Sequence, residues 1–169
     1  ERIGEFHLHS VDPLDEPLLR RIAEQARSRD IYIHVHSDKD PVDLLFSLEP
    51  QLKIIWAHAG MVEPAETVEE MMATYELLWT DTSYRGWDIL APDGTIDPAW
   101  RRAIERFPDR FMVGSDTWVN EQWDNYAELI AVNRKWLSQF LRPIAEMIAF
   151  RNAERLFDRK VEAQLIGNR

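Results

Sequence analysis

The feature that most constrains this chain is an alternation. Apolar runs of strand length recur at residues 3–9, 31–38, 52–58, 77–83 and 110–114, separated by stretches whose apolar residues fall at helical spacing. Leu18, Leu19, Ile22, Ala23 and Ala26 make one such stripe over 18–28; Val68, Met71, Met72 and Tyr75 make another over 64–75. Asp40 is the predicted N-cap of a short helix running to Leu48, with Pro41 in its first turn, and Asp97-Pro98 starts a helix that runs to Phe107. A turn-rich loop spans 84–96. Beyond Asp116 the chain reads as helical, over 121–140, from Pro143 through Phe150, and over 152–157; the tail 160–169 gives no clear signal. Parallel neighbours need a connection long enough to return along the sheet, so this rhythm implies an α/β fold with a parallel sheet and right-handed crossovers. No repeat, low-complexity stretch or internal linker interrupts it, and residues 1–169 read as a single domain.

Composition narrows the function classes. A net charge of −10 argues against a general binder of nucleic acid or anionic membrane, both of which need a basic surface. No run of about 18 apolar residues suggests a transmembrane helix. The chain has no cysteine, which excludes disulfides, thiolate zinc sites and cysteine nucleophiles. Neither a nucleophile-elbow serine nor a phosphate-binding glycine loop is present. The first residues, Glu-Arg-Ile-Gly, resemble the interior of a longer protein; a targeting signal would lie upstream, and no compartment is assigned.

The chemistry concentrates in histidine. All five histidines, His7, His9, His34, His36 and His58, fall in predicted strands, on the face opposite the aliphatic residues. One buried strand histidine is ordinarily a satisfied core residue. Five together need either a dense hydrogen-bond network or a metal ion, for which neutral imidazole is the commonest biological ligand. Functional groups of parallel α/β folds gather at the C-terminal ends of strands. His36, His58 and Asp116 each stand there, before Ser37-Asp38, Ala59-Gly60 and Thr117-Trp118. Two imidazoles and a carboxylate are a donor set suited to a divalent metal, zinc first among the candidates. His34 lies two residues deeper and reads as a supporting residue beneath the ligands, or as core.

Three strings, Ile54-Ile-Trp-Ala-His-Ala-Gly60, Val113-Gly-Ser-Asp116 and Asn152-Ala-Glu-Arg-Leu-Phe157, resemble in order and spacing the metal-dependent amidohydrolase superfamily, in its amidohydrolase family 2 branch of TIM-barrel hydrolases and decarboxylases. The resemblance covers nearly the whole chain. It implies the C-terminal portion of a (β/α)8 barrel, about five βα units corresponding to strands four to eight. His36 would then be the strand-five metal ligand, His58 the strand-six histidine, and Asp116 the strand-eight aspartate that faces the metal and takes a proton from the metal-bound water. The family's strand-one His-x-His pair is missing, together with the strands expected before Ile3. His7-Leu8-His9 has the spacing but sits in what reads as strand four. Glu5 or His9 would help line the substrate site; a buried polar layer inside the barrel is the competing reading for Glu5 and His7. Arg85, after strand seven, has two readings of equal weight: a bidentate clamp for a substrate carboxylate, or a surface salt bridge to Asp88. Trp87, Trp118 and Trp123 stand near the same rim, with core packing the better reading for Trp123 and for Trp136 in the last helices.

Five strands cannot close an eight-stranded barrel, and an open edge is an aggregation hazard. A missing N-terminal half of the barrel, or a partner chain, is therefore expected to complete the fold and the metal site around a small-molecule substrate. The leading expectation is a metal-dependent hydrolase that cleaves an amide, ester or lactone. A decarboxylase of an aromatic or unsaturated carboxylic acid is the first alternative. An incomplete barrel without metal or activity is the second.

Overall fold

Five parallel strands pair in the order of the chain: β1 (Arg2–His7), β2 (Tyr32–His36), β3 (Ile54–Trp56), β4 (Leu78–Asp81) and β5 (Phe111–Met112). The structure is a computed structural model that describes residues 2–157. The featureless tail 160–169 lies outside the described residues. Crossovers are made by α1 (Glu16–Ser28), α2 (Lys39–Leu48), α3 (Ala65–Thr74), and α4 (Gly86–Ile89) followed by α5 (Pro98–Arg106). After β5 come α6 (Asn120–Asp124), α7 (Tyr126–Leu137), α8 (Arg142–Glu146), a π turn over Met147–Arg151, and α9 (Asn152–Phe157).

Register explains the core. Ile33 pairs with Ile54, and Ile54 with Leu78; Val35 pairs with Trp56, Trp56 with Thr80, and Thr80 with Phe111. These residues form the face under the helices and are fully buried. Burial of each large apolar side chain there contributes about 1.5–3 kcal/mol. The opposite face carries His34 beside Ile55 beside Trp79, and Asp81 beside Met112. All three residues of β3 are buried, as an interior parallel strand covered on both faces requires.

β1 carries an irregularity that positions the site. Three steps along β1, from Ile3 to Phe6, span two steps along β2, from Ile33 to Val35. Gly4 makes this possible: its φ is +104°, and a Cβ there would stand 2.5 Å from the His34 carbonyl oxygen. Strict alternation would put Ile3 on the same face as Glu5. The bulge instead aligns Ile3 with Ile33 and leaves Glu5 beside the histidines. Among the described residues β1 is paired on one side only, and His7 and Glu5 are exposed there.

The elements are shorter than periodicity predicts. The apolar run 52–58 leaves the sheet after Trp56 and turns through a 3-10 segment, Ala57–Ala59. The α2 N-cap is Asp38, not Asp40, which sits in the first turn; Glu63 Oε1 accepts the Lys39 amide at 3.0 Å. Asp97 does cap α5, accepting from the amides of Ala99 at 2.9 Å and Trp100 at 3.2 Å. The helix predicted over 121–140 breaks at Asn125 into α6 and α7. Glu69, whose polarity suggests a solvated helix face, is buried and ties α3 to α5 through Arg102 at 2.7 Å and Arg106 at 2.9 Å. The β5 edge is covered by the C-terminal helices: the Val113 amide donates to the Ile148 carbonyl at 3.1 Å, and Asn152 Nδ2 donates to the carbonyls of Pro108 and Phe111, both at 2.8 Å. Among the described residues, no helix is long and apolar enough to cross a membrane.

Candidate metal centre

The strand ends bring the polar residues together. His7 and His36 are register partners, and their rings stack with centroids 4.0 Å apart. Glu5 Oε1 lies 2.7 Å from His36 Nδ1. Burial pushes the Glu5 carboxyl up, but the His36 hydrogen bond and the neighbouring imidazoles outweigh it and hold the group below the ordinary carboxylate range. An ionised carboxylate only accepts, so His36 Nδ1 carries the proton and donates. In the neutral tautomer that donates in this way, Nε2 is left with its lone pair.

The same reasoning assigns His34. Arg2 has only donors, and its Nη1 lies 2.8 Å from His34 Nδ1, which therefore accepts. His34 Nε2 then carries the hydrogen and donates to Asp81 Oδ2 at 3.3 Å. With both ring nitrogens engaged and 6% exposure, His34 stands beneath the site as a support.

His58 occupies the centre. It sits in a run of positive φ, with His58 at 55°, Ala59 at 46°, Gly60 at 75° and Met61 at 63°. Tyr84, at 61°, and Asp116, at 44°, are also left-handed at the same rim. Non-glycine residues in this region carry backbone strain, and such strain collects at functional sites. Both His58 ring nitrogens are buried without a hydrogen bond among the described residues. Nε2 faces Glu5 Oε1 at 3.3 Å and Asp116 Oδ2 at 3.7 Å; Nδ1 faces Asp81 Oδ1 at 3.7 Å. An orphaned buried imidazole nitrogen between two carboxylates is a donor set that fits a divalent cation. Glu5, His36 and His58 each bring one ligand atom within 4.8 Å of the others.

Asp81 is the residue that sequence reasoning missed. It accepts from His34, from the Ser83 amide at 3.0 Å and from the His58 amide at 3.4 Å. Burial pushes its carboxyl up, yet the His34 and Ser83 hydrogen bonds prevail and hold it below the usual value. Its signal was present, as an acidic residue at a strand end on the inward face. Asp116 is held at the rim through its backbone, whose carbonyl accepts from Tyr84 Oη at 2.8 Å; Gln122 Nε2 donates in turn to that hydroxyl. His9 lies on the outer side, edge-on to His7 and His36 with centroids 5.6 Å from each.

Arg85 is not a clamp for substrate. The residue is 4% exposed, and its guanidinium is turned into the β3–α3 connection. Nη1 donates to the carbonyls of His58 at 3.1 Å and Ala59 at 2.9 Å, Nη2 to Glu63 at 2.7 Å, and Nε to Asp88 Oδ2 at 2.7 Å. The salt bridge to Asp88 exists, and Arg85 also grips the turn that presents His58. Trp136 is core, whereas Trp123 is exposed and stacks on Tyr126.

Two cavities meet at this cluster. One of about 280 Å³ lies on the inner face, among Arg2, His34, Asp81 and Phe157. The other, of about 530 Å³, opens outward between His7, Met61, Tyr84 and Trp118. Glu5, His58 and Asp116 line both.

Comparison with known proteins agrees with this architecture. A crystal structure named "Putative 2-Pyrone-4,6-Dicarboxylic Acid Hydrolase from Pseudomonas putida" aligns with a TM-score of 0.58 at 21% identity, covering 93% of this chain and 62% of that chain. Likeness at that identity speaks for the fold, five βα units of the TIM-barrel kind, and the chain spans less than two thirds of that protein. No curated protein matches the chain. The model of the family described as amidohydrolase matches residues 5–159, which takes in all five histidines, Asp81 and Asp116. On that match the chain belongs to the amidohydrolase family.

Proposed function

We propose that this chain carries much of the strand-end centre of a metal-dependent hydrolase that uses an activated water to cleave an amide, ester or lactone in a small molecule. The observation that supports it is His58, a buried imidazole with no hydrogen bond, set between the carboxylates of Glu5 and Asp116. His36, His58 and Asp116 would hold the cation, with Glu5 beside the two imidazoles; zinc suits this nitrogen and oxygen donor set. A divalent cation supplies Lewis acidity there and brings the pKa of a bound water towards about 7. With a cation held there, Asp116 would be the carboxylate placed to take a proton from a water. Asp81 and His34 fix the centre from below. Arg85 holds the turn that presents His58, and the cavity beside Met61, Tyr84 and Trp118 admits the substrate. β1 is paired on one side only among the described residues, and we place the remaining pocket groups on strands that join this edge, from the same domain or a partner chain.

In the decarboxylase alternative Arg85 would matter more, and its guanidinium is committed to the turn. Isothermal titration of the chain with Zn²⁺ tests the proposal, with activity on a panel of nitrophenyl esters and lactones as the second readout. His58→Ala and Asp116→Asn are each expected to weaken zinc at least about tenfold with the fold intact by circular dichroism. A chain that binds no zinc, or binds it equally well in both variants, refutes it.

A further inference from the structure

A second group of imidazoles stands outside the centre just described. His7 and His9 lie on one side of β1 and its extension, and His36 faces His7 across the β1–β2 pairing. His7 and His36 are stacked at 4.0 Å, and His9 stands edge-on to both at 5.6 Å. One ring nitrogen from each lies within 4.8 Å of the others. Among the described residues, neither the His7 nor the His9 ring makes a hydrogen bond, and both residues are exposed. An exposed imidazole finds its partners in water at little cost, but three converging imidazoles, each with a ring nitrogen that makes no hydrogen bond, form a chelating set.

We propose that His7, His9 and His36 form a surface site for a divalent transition-metal cation, distinct from the Glu5–His58–Asp116 group. The chemistry selects the cation class. Imidazole nitrogens suit Zn²⁺, Cu²⁺ and Ni²⁺, whereas Mg²⁺ and Ca²⁺ require oxygen donors. Glu5 prepares the site: by taking the Nδ1 hydrogen of His36 at 2.7 Å it fixes the tautomer that leaves Nε2 as a ligand, the carboxylate–histidine arrangement found behind metal-bound histidines. The net charge of −10 favours cation accumulation near the surface. The two groups share His36, whose single free ring nitrogen, Nε2, can serve one cation at a time. The outward cavity reaches both, since His7, His36 and His58 all line it.

Cu²⁺ is the probe, because its paramagnetic resonance spectrum resolves coupling to ligand nitrogens. The measurement is made in the His58→Ala background, which disables the deeper group. There the chain is expected to bind Cu²⁺ with coupling to three nitrogens. Adding His9→Asn or His7→Asn is expected to weaken Cu²⁺ at least about tenfold and to remove one nitrogen from the coupling pattern. His7 and His9 are exposed, so these variants keep the fold; if His58→Ala itself does not fold, the same substitutions are read in the wild-type background. Unchanged Cu²⁺ affinity and coupling in either histidine variant overturn the site. So does a signal in the wild type that His58→Ala abolishes in a folded chain. The zinc titration of His58→Ala and Asp116→Asn, made in the His7→Asn/His9→Asn background that lacks the outer site, reads the hydrolase proposal separately, so either can fail alone.

Discussion

Replacing Arg85 by methionine should loosen the turn that presents His58 and destabilise the whole domain. Methionine keeps an apolar stem of similar length and removes every donor. Three backbone carbonyls, His58, Ala59 and Glu63, lose a partner, and Asp88 loses its ion pair. A hydrogen bond from a charged group is worth about 1.5–3 kcal/mol net, and a buried carbonyl left unpaired costs about 1–3 kcal/mol. The contact of the guanidinium with the Trp100 ring at 4.8 Å adds about 0.5–2 kcal/mol. The full sum is not reached. Burial already lowers the Arg85 pKa, against the pull of Asp88, which means the charge was costly to desolvate, and water can enter beside the exposed Asp88. The loss on breaking a buried charged contact, about 3–5 kcal/mol, is the appropriate magnitude. For a domain of this size that lowers Tm by about 6–20 °C. Urea unfolding followed by tryptophan fluorescence measures it. Arg85→Lys, which keeps the charge but not the fork of donors, should fall between methionine and wild type. A loss below about 1 kcal/mol for Arg85→Met with an unchanged m-value would refute the role assigned to these hydrogen bonds.

Two further outcomes follow from the same region. Gly60→Ala forces a side chain into a φ of +75° and into overlap with the Trp56 indole, so it should cost about 2–5 kcal/mol in chemical denaturation; a neutral result would show that the turn repacks freely. Glu5 and Asp81 titrate below their ordinary values of 4.5 and 3.8 in the folded chain, so the fold favours their charged forms. Their stabilising contribution is therefore present above those values and lost as the pH falls through the lower folded ones. Stability measured from neutral to acid pH should decline across that window, and Asp81→Asn should flatten the decline; an identical slope in the variant would contradict it.

Much of the candidate site was legible before any coordinates. Strand alternation put His34 and His36 on the face opposite Ile33 and Val35, and the ends of successive strands singled out His36, His58 and Asp116. Other residues could not be placed because their roles depend on partners distant in the chain. Glu69 reads as a solvated residue until α5 brings Arg102 and Arg106 against it. Asp81 is an unremarked strand-end carboxylate until the sheet sets it between His34 and His58.

Local chemistry determined the βα order, the apolar face of each strand and the residues able to bind a cation, because periodicity and residue type are properties of neighbours in sequence. Tertiary structure alone decided how those residues are used. The bulge at Gly4 puts Glu5 between two imidazoles, through close contact with the backbone of β2 thirty residues away. The direction of Arg85 was settled by three carbonyls across the β3–α3 turn, which satisfy a buried guanidinium better than a position at the rim would. Register across parallel strands is a long-range property, and it converts five scattered histidines into a central unpartnered imidazole, a support and an outer cluster.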